Sequence, residues 1–143
     1  MDKKQLIARC GIWCGTCRQY LVRKKELFEE KGLKRGCEGC WIRDKNCTFI
    51  KKECAPLRNN EIEFCYECEN FPCDNLTELD ELYVSRYNMS LIENQKRIKQ
   101  MGIKKWIKEQ EELYTCPECS GEVCVHDAEC YDCGNKYNPN IPP

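Results

Sequence analysis

No run of apolar residues in this chain approaches the roughly 20 needed to cross a bilayer, so no segment is expected to span a membrane. The residues from Met1 to Cys10 contain no apolar core of a secretory signal, and the expected location is the cytoplasm. Basic residues do not outnumber acidic ones: 23 Lys and Arg stand against 24 Asp and Glu, a formal charge of -1. Non-specific binding to nucleic acid is driven by positive charge, so that role is disfavoured. Phosphate loops, paired-carboxylate sites and catalytic triads are not discernible, so an enzymatic function is not expected. Histidine occurs once, as His126. The mean hydropathy of -0.73 implies a thin conventional core, to be supplemented by other cross-links.

Cysteine supplies them: 15 of the 143 residues are cysteine. Cys14/Cys17, Cys37/Cys40, Cys65/Cys68, Cys116/Cys119 and Cys130/Cys133 are all C-x2-C pairs, the spacing that lets two thiolates of one turn face one metal ion. A disulfide framework fits less well, because the cysteine number is odd and no secretory signal is visible. Each four-thiolate zinc site would carry a net charge of about -2, making the folded protein more acidic than its formal charge suggests. Nearby lysines and arginines then serve to offset thiolate charge.

The cysteines divide the chain. Ten lie in residues 1–73, none in 74–113 and five in 116–133. We expect a cysteine-rich metal-binding domain with a helical tail over 1–113 and a separate unit over 114–143. The fold class is small, metal-stabilised and mainly α, with irregular cysteine-rich loops and a C-terminal β-hairpin zinc ribbon.

A helix is predicted from Cys17 to Lys31, with Tyr20, Leu21, Leu27 and Phe28 on one face, Thr16 as cap and Gly32 as stop. Residues 36–73 show little periodicity and read as loops and short turns. Leu76, Leu79, Leu82 and Tyr83 mark a helix interrupted at Asn88 and Ser90. The capping box Ser90–Glu93 opens a second, which Gly102 ends, and Ile103, Trp106, Ile107 and Gln110 a third, ending near Leu113. Lys96, Arg97, Lys99, Lys104, Lys105 and Lys108 read as a solvated face.

Cys116, Cys119, Cys130 and Cys133 form a C-x2-C-x10-C-x2-C frame, each pair followed closely by glycine, Gly121 and Gly134. Glycine permits the positive-φ turn that aims backbone N–H groups at sulfur. This is the pattern of a rubredoxin-like zinc ribbon, with zinc preferred to iron. Cys124 and His126 fall between the pairs, and His126 is expected to hydrogen-bond the ribbon backbone, since four cysteines already close the site.

Taken whole, the chain resembles an uncharacterised cysteine-rich family of bacteria and archaea, a domain of unknown function with presumed metal binding. The resemblance rests on Cys10-Gly11-x-x-Cys14-Gly15-x-Cys17-x-x-Tyr20, on Cys37-x-Gly39-Cys40, and on Phe64-Cys65-x-Glu67-Cys68-x-x-Phe71-Pro72-Cys73. The helical stretch from Ser90 to Trp106 is also similar, and the terminal unit resembles an extension found in some members. The resemblance implies metal binding but no reaction, substrate or partner. The chain departs from the family's pattern over residues 45–55, which hold only Cys47 and Cys54 where denser cysteines are expected.

The ten N-terminal cysteines allow two four-ligand sites. The preferred grouping sets Cys37 and Cys40 with Cys47 and Cys54. Cys14 and Cys17 then join Cys65 and Cys68, with Cys10 and Cys73 as alternates. Two to three zinc ions are expected in all, or an iron–sulfur cluster in the N-terminal segment. Cys10-x3-Cys14-x2-Cys17 has the spacing of a radical-SAM cluster loop, yet the chain lacks the strand–helix repeats of the barrel such enzymes need. Cys14 and Cys17 before a helix also meet the local half of a thioredoxin-like description, without its βαβ scaffold. Trp13, Trp41, Tyr66 and Phe71 beside cysteines read as shields for the sites. The leading function is a metal-bound module with structural four-cysteine sites and a protein partner. Two alternatives stand: an iron–sulfur oxidoreductase or electron carrier, and a protein that stores or passes soft metal ions.

Overall fold

The computed structural model describes residues 3–39, 54–59 and 61–139. Cys40, Trp41 and Cys47 therefore lie outside the described residues. Among those described the fold is mainly helical, with one short antiparallel hairpin near the C-terminus. The helices are α1 (Arg18–Lys25), α2 (Phe28–Lys31), α3 (Ala55–Arg58), α4 (Asp74–Tyr87), α5 (Leu91–Met101) and α6 (Ile103–Leu113). Single 3₁₀ turns cover Lys3–Leu6, Cys14–Thr16 and Cys65–Glu67. No described helix is long and apolar enough to cross a membrane.

The last three helices follow the predicted signals closely. Asn88 ends α4 in the left-handed conformation, at φ 54°. Ser90 Oγ accepts the Glu93 N–H at 3.1 Å and so caps α5. Asp80 of α4 reinforces that start, accepting from Ser90 Oγ at 2.8 Å and from the Ile92 N–H at 2.9 Å. Gly102, at φ 91°, then separates α5 from α6. α5 buries Leu91, Gln95 and Ile98, and α6 buries Trp106, Ile107 and Gln110. The six basic residues of this region are all exposed.

The expected helix over 17–31 is broken. α1 stops at Glu26, which is left-handed at φ 54°, and the Leu27 N–H bonds back to Val22 O at 2.9 Å, satisfying a terminal carbonyl. The break has a consequence for packing. In a continuous helix Arg18 and Lys31 would stand about 20 Å apart at 1.5 Å rise per residue. Here Arg18 Nη2 donates to Lys31 O at 2.8 Å, because α2 doubles back. Thr16 does not cap α1 either: its buried hydroxyl donates to Trp13 O at 3.0 Å, within the Cys14 turn.

β1 (Val123–Cys124) pairs with β2 (Glu129–Cys130) in the register Val123↔Cys130 and Cys124↔Glu129. The hairpin is attached to the helices through hydrogen bonds from Val125 N–H to Thr16 O at 2.9 Å and from Val123 N–H to Tyr114 O at 3.0 Å. Its Val123, Val125 and Cys130 share one apolar cluster with Leu57, Leu76, Leu91 and Tyr114. A second cluster joins Leu6, Ile7, Trp13, Cys14 and Phe64 to Ile98, Trp106 and Ile107. Apolar burial of this kind contributes about 25 cal/mol per Å².

Candidate metal centre

Cys116, Cys119, Cys130 and Cys133 converge. Their sulfurs all lie within 4.8 Å of one another, and among the described residues they are the one set of three or more potential donors that does so. Cys116 Sγ stands 3.7 Å from Cys133 Sγ, and Cys119 Sγ 3.5 Å from Cys130 Sγ. A tetrahedral ion with metal–sulfur bonds of about 2.3 Å requires sulfur–sulfur edges of about 3.8 Å. The four cysteines can therefore hold one metal ion.

Two turns of the same form build the frame. In the first, Cys116 N–H bonds Gly121 O at 2.9 Å and Ser120 N–H bonds Cys116 O at 2.9 Å; in the second, Cys130 N–H bonds Asn135 O at 2.8 Å and Gly134 N–H bonds Cys130 O at 2.9 Å. Backbone N–H groups then point at sulfur. Glu118 donates to Cys116 at 3.4 Å, Gly121 to Cys119 at 3.3 Å, and Asp132 to Cys130 at 3.3 Å. Such donors stabilise thiolate over thiol, which suits a ligand to a cation.

The glycines divide their duties differently from the sequence expectation. Gly134 takes the positive-φ position of the second turn, at 80°, but in the first that position belongs to Ser120, at 64°. Gly121 is required by space: a Cβ there would lie 2.4 Å from Asp132 Oδ2. Asp132 accepts from the Glu122 N–H at 2.8 Å and from Lys25 Nζ at 2.8 Å, so it ties the second turn to the first and to α1. We expect Ser120→Gly to relieve left-handed strain and raise the thermal midpoint, by up to about 1 kcal/mol of stability, with unchanged metal content. Gly121→Ala should do the opposite by displacing Asp132; differential scanning fluorimetry of both variants checks the pair.

Burial works against ionisation of Cys116, but the N–H groups of Cys119 and Glu118 and the neighbouring Cys133 and Cys130 thiols outweigh it and draw it down to about 7. Cys119 goes the other way. Its bond from Gly121 favours the thiolate, yet the adjoining Cys133 and Cys130 push it up to about 12. Four negative charges cannot coexist at such spacing without a counter-charge, and a bound dication supplies it. Metal binding must then release protons, and affinity must rise with pH. Cationic side chains gather around the frame as well. Lys24 meets Glu122 at 2.9 Å, Lys25 meets Asp132, and Lys31 meets Glu129 at 2.6 Å, joining α1 and α2 to the acidic rim of the hairpin.

Cys124 and His126 lie beside this frame without joining it. Burial raises the Cys124 thiol, against opposing hydrogen bonds from Tyr131 and from the Asp127 and His126 N–H groups. His126 is committed elsewhere. Its Nδ1 accepts the Arg18 N–H at 3.2 Å, its Nε2 lies 3.1 Å from Tyr83 Oη, and Tyr87 packs edge-on with ring centroids 4.9 Å apart. Because Nδ1 accepts, the neutral ring carries its proton on Nε2 and donates to Tyr83. The histidine thus pins the hairpin to α1 and α4: the backbone group it meets belongs to Arg18 of α1 and not, as expected, to the ribbon.

Burial lowers the His126 pKa below 6.5, opposed in part by Asp127 and aided by Arg18. The unfolded chain then binds a proton more readily than the folded one. Stability from His126 is present above pH 6.5 and is lost as pH falls from there through the folded value. In urea titrations from pH 7.5 to 5, a non-titrating His126→Gln variant should be less stable at the upper pH, and its loss across this range should be smaller than that of the native chain.

The N-terminal cysteines are arranged otherwise than in the preferred grouping. Cys54, Cys65, Cys68 and Cys73 line one cavity, with Cys10 in the same buried cluster as Cys65. Burial first, then the nearby Cys10, Cys54, Cys73 and Cys68, push the Cys65 thiol up. Cys54 therefore sits with Cys65, Cys68 and Cys73, not with Cys37 as its nearness in sequence suggested; Cys40 and Cys47 lie outside the described residues. Nor do Cys14 and Cys17 converge with Cys65 and Cys68 into a set with mutual sulfur distances under 4.8 Å. Cys14 is buried against Trp13 in the other cluster, and Cys17 begins α1. The Cys37 N–H bonds Gln19 O at 2.9 Å, which places Cys37 beside that helix. No disulfide joins the described cysteines.

Two turns set these positions. Cys14–Thr16 and Cys65–Glu67 are matching 3₁₀ turns, each preceded by a buried aromatic residue, Trp13 or Phe64, in extended conformation. The Trp13 indole folds over Gly15, where a Cβ would collide with Nε1. Phe71 lines the Cys65 cavity.

Sequence reading missed Gln95. It is fully buried, its Oε1 accepts the Tyr66 N–H at 3.2 Å and its Nε2 donates to Arg9 O at 2.7 Å. Arg9 O also accepts the Cys65 N–H at 3.1 Å, so one carbonyl aligns the Cys10 segment with the Cys65 turn. A glutamine in the stripe Leu91, Gln95, Ile98 was the available signal: a polar residue at a core position of an amphipathic helix must be satisfied.

None of the curated proteins and none of the solved structures compared with the chain matches it. Residues 6–78, half of the 143, match a family whose description is Protein of unknown function (DUF3795), and the matched span contains the Cys14–Thr16 and Cys65–Glu67 turns and all the N-terminal cysteines. The chain belongs to that family.

Proposed function

We propose that the protein is a zinc-stabilised interaction module whose C-terminal unit is a rubredoxin-like zinc ribbon. The observation that carries this reading is the closed thiolate frame, with sulfur edges of 3.5 and 3.7 Å. Four sulfur ligands fill the tetrahedral preference of zinc and leave no open position for substrate, so the ion is structural and not catalytic. Redox-inert zinc suits a frame whose two outer ligands, Cys119 and Cys133, are exposed. The partner is a protein. The formal charge of -1 becomes more negative with each Zn(Cys)4 unit, which opposes attraction to a nucleic-acid backbone. The cytoplasm, where thiols stay reduced, is the compartment that suits so many unbridged cysteines.

The test is zinc exchange in the reduced full chain. A structural ion should resist a competing chelator for as long as the hairpin stays folded. Zinc lost within the mixing time from a chain that remains folded would indicate metal handling instead. Cross-linking of the zinc-loaded chain in its cytoplasm should yield protein adducts that Cys119→Ser abolishes; adducts mainly to nucleic acid would overturn the partner assignment.

A further inference from the structure

We propose that Cys54, Cys65, Cys68 and Cys73 hold a polynuclear iron–sulfur cluster, a cofactor different in kind from the single ion of the C-terminal frame. The inference does not depend on the zinc reading, because it rests on other residues.

The contrast between the two cysteine sets carries it. The C-terminal sulfurs are already closed to the edges of one tetrahedral ion. The four N-terminal thiols instead surround a cavity of about 340 Å³, and no three of them lie within 4.8 Å of one another. A single ion needs no such space. The cavity is roughly ten times the volume share of one water molecule, about 30 Å³. A cluster of several irons and sulfides needs both features: a cleft with room for it, and cysteines held apart so that each meets a different iron.

The walls suit that occupant. Pro56, Ile62, Phe71 and Leu76 provide apolar surface, which limits water at a cluster whose stability and potential depend on exposure. Cys73 is the residue before α4, a helix of 14 residues, and its first turn has no side-chain cap. Asp74, Asn75 and Leu76 of that turn line the cavity, so N–H groups without an intrahelical partner, at the positive end of the helix, adjoin the cluster and offset the one carboxylate there. Cys68 already accepts the Asn70 N–H at 3.4 Å, the donor arrangement found at Cys119. The 3₁₀ turn and the Arg9 carbonyl fix Cys65. Cys10, buried in the same cluster as Cys65, is a fifth thiol near the four. Sequence spacing alone, Cys65-x2-Cys68-x4-Cys73, only approaches a ferredoxin run, because the fourth ligand comes from the start of α3.

The experiment is expression and purification of the full chain without oxygen, with iron and cysteine supplied, followed by spectroscopy and chemical analysis. We expect a brown protein absorbing near about 400 nm, with about four irons and four acid-labile sulfides per chain. Cys68→Ser and, separately, Cys54→Ser should bleach the band while zinc content is retained. Cys119→Ser should lose one zinc and keep the band. The proposal is overturned by a colourless chain, by zinc that falls in Cys68→Ser, or by a band that both N-terminal variants leave intact. Loss of the Cys119 zinc response alone would overturn the ribbon reading and leave the cluster standing.

Discussion

Replacing Cys130 with serine is expected to remove one metal ion per chain and to unfold the hairpin. Cys130 is buried, accepts the Asp132 and Cys133 N–H groups, and faces Cys119 across the frame. Structural zinc contributes an apparent 10–16 kcal/mol or so. Whole domains are stable by only about 5–15 kcal/mol. No rearrangement of two-residue strands replaces a lost ligand on that scale. The loss should loosen the packing of Val123, Val125 and Cys130 on Leu57, Leu76 and Leu91 without melting α5. Nuclear magnetic resonance of the variant should show collapsed dispersion for residues 114–139, with α5 and α6 helicity retained in circular dichroism. A variant with native dispersion and native metal content would contradict this.

Gln95→Ala should cost about 2–4 kcal/mol, a large effect for a residue that is neither a ligand nor hydrophobic. The change removes the Tyr66 and Arg9 hydrogen bonds, leaves the part-buried Tyr66 N–H without its partner at about 1–3 kcal/mol while Arg9 O keeps the Cys65 N–H, and opens a cavity where the buried side chain stood. Gln95→Glu keeps the volume but puts a carboxylate against Arg9 O, so it should not rescue. Urea unfolding compares the two. If both variants match the native midpoint, the glutamine does not hold the Cys10 and Cys65 segments together.

Local features of the sequence were the legible ones. The terminal frame could be read from spacing alone because all four ligands come from two turns separated by a short hairpin. The limits of α5 and α6 followed from Ser90, Glu93 and Gly102, residues whose backbone preferences act over one turn. The break at Glu26 was hidden, because no glycine or asparagine announces the left-handed residue. Ser120 concealed its turn in the same way, and Gly121 beside it gave a false reason for a correct turn. The N-terminal partition could not be read, since it depends on how Gln95 and the Arg9 carbonyl bring distant turns together. Nearness in sequence placed Cys54 with Cys37; the start of α3 places it with Cys65.

The basic residues divide similarly. Lys96, Arg97 and Lys99 lie on exposed helix surface, as the periodicity of α5 requires. Lys24, Lys25 and Lys31 instead reach acidic residues of the hairpin, contacts 98 to 107 residues apart in sequence. Exposed pairs of this sort contribute little individually, about 0–1 kcal/mol. Their value here is to set positive charge near four thiolates.

X-ray absorption at the zinc edge, on the full chain purified without oxygen beside its Cys119→Ser form, bears most directly on whether sulfur ligation shapes the C-terminal unit. The native chain should show zinc bound by four sulfurs at about 2.3 Å, and the variant should contain one zinc fewer per chain. Oxygen or nitrogen neighbours at that zinc, or a metal-free chain that unfolds cooperatively with its hairpin intact, would contradict it.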